Sequence, residues 1–282
     1  MPGFKSNHPP MLRFFDRSQP AFLADARLGF ELRRFWLKLS VVKISVIVPA
    51  YNEEKLIAAT LRGIRSALDS FSRRGWTAEM IVCDNNSSDG TAELARAAGA
   101  QVVFEPVNQI ARARNSGAAA ATGDWLVFVD ADSHPTPELF DEVAHQIEAG
   151  RCVAGGCTVR YDEGSFVTDC ATGGWNILSR IVRWAAGSFI FCETAAFRAV
   201  GGFSQELYAS EEIDLSRRLK KLARKQGREV VILHRHPLLT SSRKMQLYSS
   251  RELLGFLCRA VFNPRRTTTS REACSPWYDG RR

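Results

Sequence analysis

The stretch Trp125-Leu126-Val127-Phe128-Val129-Asp130-Ala131-Asp132 joins five apolar residues to two carboxylates spaced two apart. On a strand, residues i and i+2 share a side, so Asp130 and Asp132 are expected to emerge together at the carboxyl end of a buried strand. That is the edge at which open α/β sheets bind ligands. Two hard oxygen donors there suit Mg²⁺ or Mn²⁺ carrying a diphosphate. The triplet alone leaves a second reading open, in which the pair simply caps a helix or decorates a solvated turn.

Working outward, strand and helix patterns alternate from Lys43 onward. Ile44-Ser45-Val46-Ile47-Val48-Pro49 is a β-branched run closed by Pro, and Asn52 is placed to cap a helix carrying Ile57, Leu61, Ile64, Leu68 and Phe71 at steps of four and three. Gly75 ends that helix, and 78–83 reads as a second strand. It leads through the turn-rich Asp84-Asn85-Asn86-Ser87-Ser88-Asp89-Gly90 into an Ala-rich helix. A strand over 101–105, a helix over about 108–121, the strand ending at Asp130, and a helix begun by Thr136-Pro137-Glu138 complete the series. Strands separated by helices of this length imply βαβ units and a mostly parallel central sheet flanked by helices.

Beyond Gly150 the pattern changes. Residues 152–161 and 188–193 read as strands, 165–187 is mixed and aromatic, 210–226 is helical with a dense Arg/Lys face, 229–233 is a last strand, and 246–262 is a helix.

Composition narrows the classes. A chain of 282 residues with 45% apolar and 24% charged residues has ample material for a core. Seven cysteines, odd in number and without a Cys-x-x-Cys pair, argue against a disulfide framework or zinc ribbon and read as mostly buried small hydrophobes in a reducing compartment. Neither a signal-peptide core nor an 18-residue apolar run is present, so the expected location is the cytoplasm. The formal charge of +8 is concentrated in the ends: residues 1–43 hold eight Lys/Arg against three Asp/Glu, and 251–282 hold seven against three. Residues 20–40 and the C-terminal helix both interleave apolar and basic side chains, which suits either packing on the main domain or an anionic membrane surface, the inner face of the plasma membrane. Positive charge confined to the ends, with no recognition module, excludes a nucleic-acid partner.

Four stretches occur in a telling order: Val48-Pro49-Ala50-Tyr51-Asn52-Glu53-Glu54; Asp84 to Thr91; Ala113-Arg114-Asn115 with Gly123-Asp124 before Asp130-Ala131-Asp132; and Gly201-Gly202-Phe203 before Glu211-Glu212-Ile213-Asp214-Leu215. Together they resemble the family 2 glycosyltransferases, across about residues 43–245. The resemblance implies the GT-A fold, also called the nucleotide-diphospho-sugar transferase fold. It also implies a nucleotide-diphosphate sugar donor, a divalent metal, and transfer to a sugar, lipid-linked or other hydroxyl acceptor, usually with inversion. On this resemblance the chain divides into an N-terminal extension (1–42), a catalytic domain (43–245, with a nucleotide-binding half 43–132 and an acceptor half 133–245) and a basic C-terminal tail (246–282).

Carried over by motif, Pro49, Ala50, Tyr51 and Glu53 border the nucleoside, and Asp84 accepts a hydrogen bond from the base. Arg114 contacts base or phosphate, Asp130 and Ala131 lie by the ribose and metal, and Asp132 is the most direct metal ligand. Glu212 stands where the family usually has an Asp base, so the carboxylate is one methylene further from the backbone. His236, beside Arg235 and His234, falls where some related enzymes carry a metal-binding His. The same residues admit plainer roles: Glu211, Glu212 and Asp214 as first-turn helix carboxylates, Asp84 and Asp89 as turn residues, Arg114 as a solvated helix charge, and His236 as an exposed imidazole. Trp175, Trp184 and Phe189 fit either an acceptor pocket or the core. Two other readings stand beside transfer: a nucleotidyltransferase, whose Gly-rich, Arg-containing first loop is missing here, and a catalytically degenerate donor-binding scaffold.

Overall fold

The computed structural model describes residues 41–163, 166–185, 187–243, 267–274 and 278. The helices expected over 20–40 and 246–262 lie outside the described residues. The order is β1 (Lys43–Ala50), α1 (Ile57–Ser72), β2 (Thr77–Asp84), α2 (Thr91–Ala97), β3 (Gln101–Phe104), α3 (Ile110–Ala120), β4 (Trp125–Val129), β5 (Ser133–His134), α4 (Pro137–Ala149), β6 (Cys152–Tyr161), α5 (Phe166–Val182), β7 (Phe189–Glu193), α6 (Thr194–Ala199), α7 (Glu211–Lys225) and β8 (Glu229–Thr240).

One eight-stranded sheet runs β3-β2-β1-β4-β7-β6-β8-β5. The parallel expectation holds for β3, β2, β1 and β4; β7 then inserts antiparallel between β4 and β6, so the whole sheet is mixed. β1 and β4 are buried nearly end to end, as strands with helices on both faces must be. On one face α1 and α4 bring Leu61, Ile64, Phe71, Phe140 and Ile147 into a single cluster; on the other, α3, α6 and α7 bring Ala111, Ala118, Phe197, Leu215 and Leu219. The result is three layers, α/β/α. Close approach of α3 to the sheet requires Gly117, where an added Cβ would stand 2.5 Å from Ile47 Cγ2.

Local signals fare unevenly. Thr136 caps α4 as its sequence implies, its Oγ1 accepting from the Leu139 amide at 3.3 Å, with Pro137 in the first turn. Asn52 does not cap α1, which begins at Ile57 with Leu56 before it. Instead Asn52 turns left-handed at φ 50° and its Oδ1 accepts from the Ser88 amide, because the loop must meet its neighbour after β2 before any helix can start. The aromatic 165–187 region is mostly the 17-residue helix α5. β8 continues past Leu233 to Thr240 because its far half still pairs with β6 and β5.

Candidate active site

At the carboxyl edge of β1, β2 and β4 lies a cleft of about 530 Å³ lined by Pro49, Ala50, Tyr51, Glu53, Asn85, Asn108, Ile110, Asp130, Ala131, Asp132 and Tyr278. This is where the strand order turns, β1 going out to β2 on one side and β4 lying on the other. The structure thus brings together seven of the residues singled out in the sequence: Pro49, Ala50, Tyr51, Glu53, Asp130, Ala131 and Asp132.

Side chains stitch the loops around it. The Glu53 amide donates to Thr91 Oγ1 at 2.8 Å, and the Glu54 amide to Asp89 Oδ2 at 3.2 Å. Asp89 is therefore a turn residue that ties two loops. Asn85 holds the third: its Nδ2 donates to the carbonyls of Glu105 and Val107, and its Oδ1 accepts from the Gln109 amide. Asp84 is buried, accepts from the Ser87 amide at 3.1 Å and is not among the lining residues. Glu53 lines the cleft, and its carboxylate Oε2 accepts from Arg243 Nη2 at 2.6 Å.

Arg114 is not a solvated helix charge, being 1% exposed, and it is not among the residues that line the cleft. Its Nη1 donates to Glu211 Oε1 (2.9 Å) and Glu212 Oε1 (2.8 Å), and its Nη2 to Asp130 Oδ1 (3.0 Å). One guanidinium thus holds three carboxylates contributed by the loop after β4 and the start of α7. Burial opposes its charge, but Glu212, Asp130 and Glu211 outweigh burial and raise its pKa. Glu211, 2% exposed, is pushed up to about 8, first by burial and then by the neighbouring Glu212. The guanidinium also lies 5.2 Å from the centre of the Phe203 ring.

Next to Arg114 on α3, Asn115 fixes the same loop. Its Nδ2 donates to the Phe203 carbonyl at 2.8 Å and its Oδ1 accepts from the Phe203 amide at 2.9 Å. Gly202 allows this, being left-handed at φ 69° with a would-be Cβ 2.7 Å from Asn115 Oδ1. The Ala-Arg-Asn, Gly-Gly-Phe, Glu-Glu and Asp-Ala-Asp stretches, far apart in the chain, therefore interlock.

Other residues separate from the site. His236 is half-exposed on β8 with its Nδ1 2.9 Å from Glu142 Oε1 of α4, and it does not join the cleft lining, because the side chain faces the helix layer. Asp214 pairs with Arg218 one turn on, a surface pair. Phe189 is core; Trp175 and Trp184 are half-buried, and Arg217 stacks on Trp184 at 4.7 Å.

A donor set of two carboxylates suits Mg²⁺ or Mn²⁺, which commonly take one or two carboxylates and complete their shell with substrate phosphate and water. Asp132, 5% exposed, and Asp130 are on the same wall of the cleft. Among the described residues no group of three or more His, Cys, Asp and Glu is arranged to hold an ion unaided. The residues fit a cation brought with a diphosphate.

The family model described as glycosyl transferase family 2 matches residues 45–198, more than half of the chain. The chain belongs to glycosyl transferase family 2. It is similar to the undecaprenyl-phosphate 4-deoxy-4-formamido-L-arabinose transferase of Salmonella choleraesuis, with 32% identity over 128 residues, 43% of this chain and 37% of that one. It is also similar to the dolichol-phosphate mannosyltransferase of Pyrococcus furiosus, with 31% identity over 134 residues, 45% of this chain and 35% of the other. These matches span about a third of the length of the curated relatives. A solved mannosyltransferase of Pyrobaculum calidifontis, in complex with GDP-Man and Mn²⁺, superposes with a TM-score of 0.59 at 20% identity, covering 86% of this chain and 68% of that one. That likeness shows the fold, and the GT-A architecture expected from the motifs is the one observed.

Asn85, Asn108, Ile110, Tyr278 and Arg243 belong to the cleft or its wall without having been singled out. Asn85 lay inside a quoted motif; for Tyr278 and Arg243, distant in sequence, no local signal exists.

Proposed function

We propose that this chain transfers a sugar from a nucleotide-diphosphate donor to a hydroxyl acceptor by direct displacement with inversion. The observation that carries the reading is the Arg114 clamp, which seats Asp130, at the cation end of the cleft, and Glu212 on one guanidinium within 3.0 Å. In this reading Pro49, Ala50, Tyr51 and Glu53 form the nucleoside wall, with Asp84 at the end of β2 as the acceptor for the base. Asp132 and Asp130 would hold the Mg²⁺ or Mn²⁺, which when bound would supply positive charge to the departing diphosphate. Glu212 takes the proton of the acceptor hydroxyl as its oxygen bonds to the anomeric carbon; the bond from that carbon to the diphosphate oxygen breaks with its electron pair leaving on the diphosphate. Arg114 is a positioning residue, fixing Glu212 relative to Asp130. Glu211, drawn into the same buried cluster, fills the remaining guanidinium contact.

The polyprenyl-phosphate substrates in the names of two relatives favour an acceptor carried on a lipid at a membrane surface, with a hydroxyl of that lipid-linked acceptor, rather than a phosphate oxygen, as the group that Glu212 deprotonates. Among the described residues no helix is long and apolar enough to cross a bilayer. The basic ends are the part of the chain suited to an anionic surface, and flotation with anionic liposomes at low salt tests that role.

The deciding experiment pairs two measurements. Mn²⁺-dependent thermal shift with UDP-, GDP- and TDP-sugars identifies a donor, since a ligand of the native state raises the melting point. Glu212→Gln should then abolish transfer while leaving that donor's affinity unchanged. Undiminished turnover in this variant removes Glu212 as the base, and donor binding without turnover in the native chain leaves a donor-binding scaffold.

A further inference from the structure

The cleft has one wall that the family match does not reach. Residues 267–274 form a short, tightly folded piece: Cys274 is fully buried, its Sγ donates to the Thr267 carbonyl at 3.2 Å, and its amide donates to the Ser270 and Arg271 carbonyls. The piece is fixed to the body through the Tyr208 amide, which donates to the Thr268 carbonyl at 2.7 Å. Four residues further on, Tyr278 packs edge-to-face on Tyr208, ring centres 5.4 Å apart, and Arg271 lies 6.0 Å from its ring. The Ile110 amide, at the start of α3, donates a long bond of 3.4 Å to the Tyr278 hydroxyl. Tyr278 lines the cleft together with Asn85, Asn108 and Ile110.

Asn85 follows β2, and Asn108 and Ile110 follow β3, on the side of the sheet away from the β4 carboxylates. If Asp130 and Asp132 take the diphosphate end of a donor, this side receives the nucleoside. An aromatic ring held by a second ring and by a buried anchor offers a flat apolar face to a base or ribose at little entropic cost.

We infer that Tyr278 is a donor-binding residue whose ring packs against the nucleoside, so that the C-terminal segment completes a subsite left open by residues 45–198. The inference rests on the donor reading above and adds the part of the chain that recognises the nucleoside. Segment 267–274 acts as the bracket that carries the ring there.

The test uses the full chain with Mn²⁺ and three probes: UDP, GDP and inorganic pyrophosphate, which has no nucleoside. Tyr278→Ala should weaken UDP or GDP about tenfold, the scale of one base–aromatic contact, and leave pyrophosphate unchanged. Tyr278→Phe, which keeps the ring, should bind within about twofold of the native chain. Hydrogen exchange of the native protein supplies a readout free of mutation: backbone amides of 267–274 should gain protection with the nucleoside diphosphate and not with pyrophosphate. Equal or tighter nucleotide binding by Tyr278→Ala overturns the inference, the tighter case making the ring a plug, and an equal loss for pyrophosphate does the same. Failure of the native chain to bind any of the three overturns the donor reading itself.

Discussion

From Lys43 to Val129 the strands are parallel, β1 and β4 are buried nearly throughout, and the loops at their carboxyl ends are tied to one another by Asn52, Asn85, Asp89 and Thr91. Beyond Tyr161 the construction loosens: α5 leaves Ile177, Leu178 and Ile181 with 59%, 44% and 75% of their surface exposed, and it is joined to its strand by the Asn176 side chain on the Val159 backbone. On the proposed function the first half meets a nucleoside diphosphate, whose shape is set, and is preassembled for it. The second half then faces the acceptor, and its outer helix turns much of its apolar side to solvent. On that reading stability and specificity reside in different places, and substitutions should separate them.

The largest effect is expected where the halves join. Arg114→Met leaves the buried Glu211 and the half-buried Asp130 and Glu212 without their shared cation and should cost about 3 kcal/mol or more, read from urea unfolding. A loss below about 1 kcal/mol would show that the cluster is solvated and that the halves are not tied there.

Inside the first half a smaller, pH-dependent effect is expected at Glu79. Burial would raise its pKa, but bonds from the Ser45 hydroxyl, the Thr122 amide and Lys43 outweigh burial and lower it from 4.5 to about 2. A depressed folded pKa gives stability that is fully present above pH 4.5 and is lost as pH falls through about 2. Glu79→Gln should thus be less stable than the native chain at neutral pH, with the gap closing as pH drops through that window in chemical denaturation. A gap independent of pH would mean that the interaction is not with the carboxylate. Smallest of all, Ile181→Ser on α5 should change stability by no more than about 0.5 kcal/mol, since the side chain is already largely in water. A larger loss would place α5 in the core and erase the contrast.

The same division explains what could be read from the sequence. β1, β2 and β4 are β-branched or apolar runs whose burial on both faces leaves a plain mark, and the Asp130–Asp132 pair is placed by the strand that carries it. α5 was obscured because its apolar residues are not all core and Gly173-Gly174 interrupts the helical pattern. The setting of Arg114 was hidden for a different reason: its partners Glu211 and Glu212 are 97 and 98 residues away, and whether an arginine faces solvent or a carboxylate is decided by that meeting. Asn52 shows the same thing on a shorter scale, a capping residue by type whose side chain is claimed by Ser88 of another loop. Chemistry that sits on one strand was legible; chemistry assembled between loops was not.

The bonds from Arg114 and Asn115 to Glu211, Glu212 and Phe203 span directly from α3 to the start of α7 and bypass the chain between β6 and β7. The outer face of α5, where Ile177, Leu178 and Ile181 stand exposed, lies outside that brace, whereas the end of the same stretch is bonded to α7 through Lys220 Nζ to the Val182 carbonyl and Ser216 Oγ to the Ala185 carbonyl. On the proposed function, that outer face is the part of the fold where a change of acceptor is expected to leave the spacing of Asp130 and Glu212 as it is.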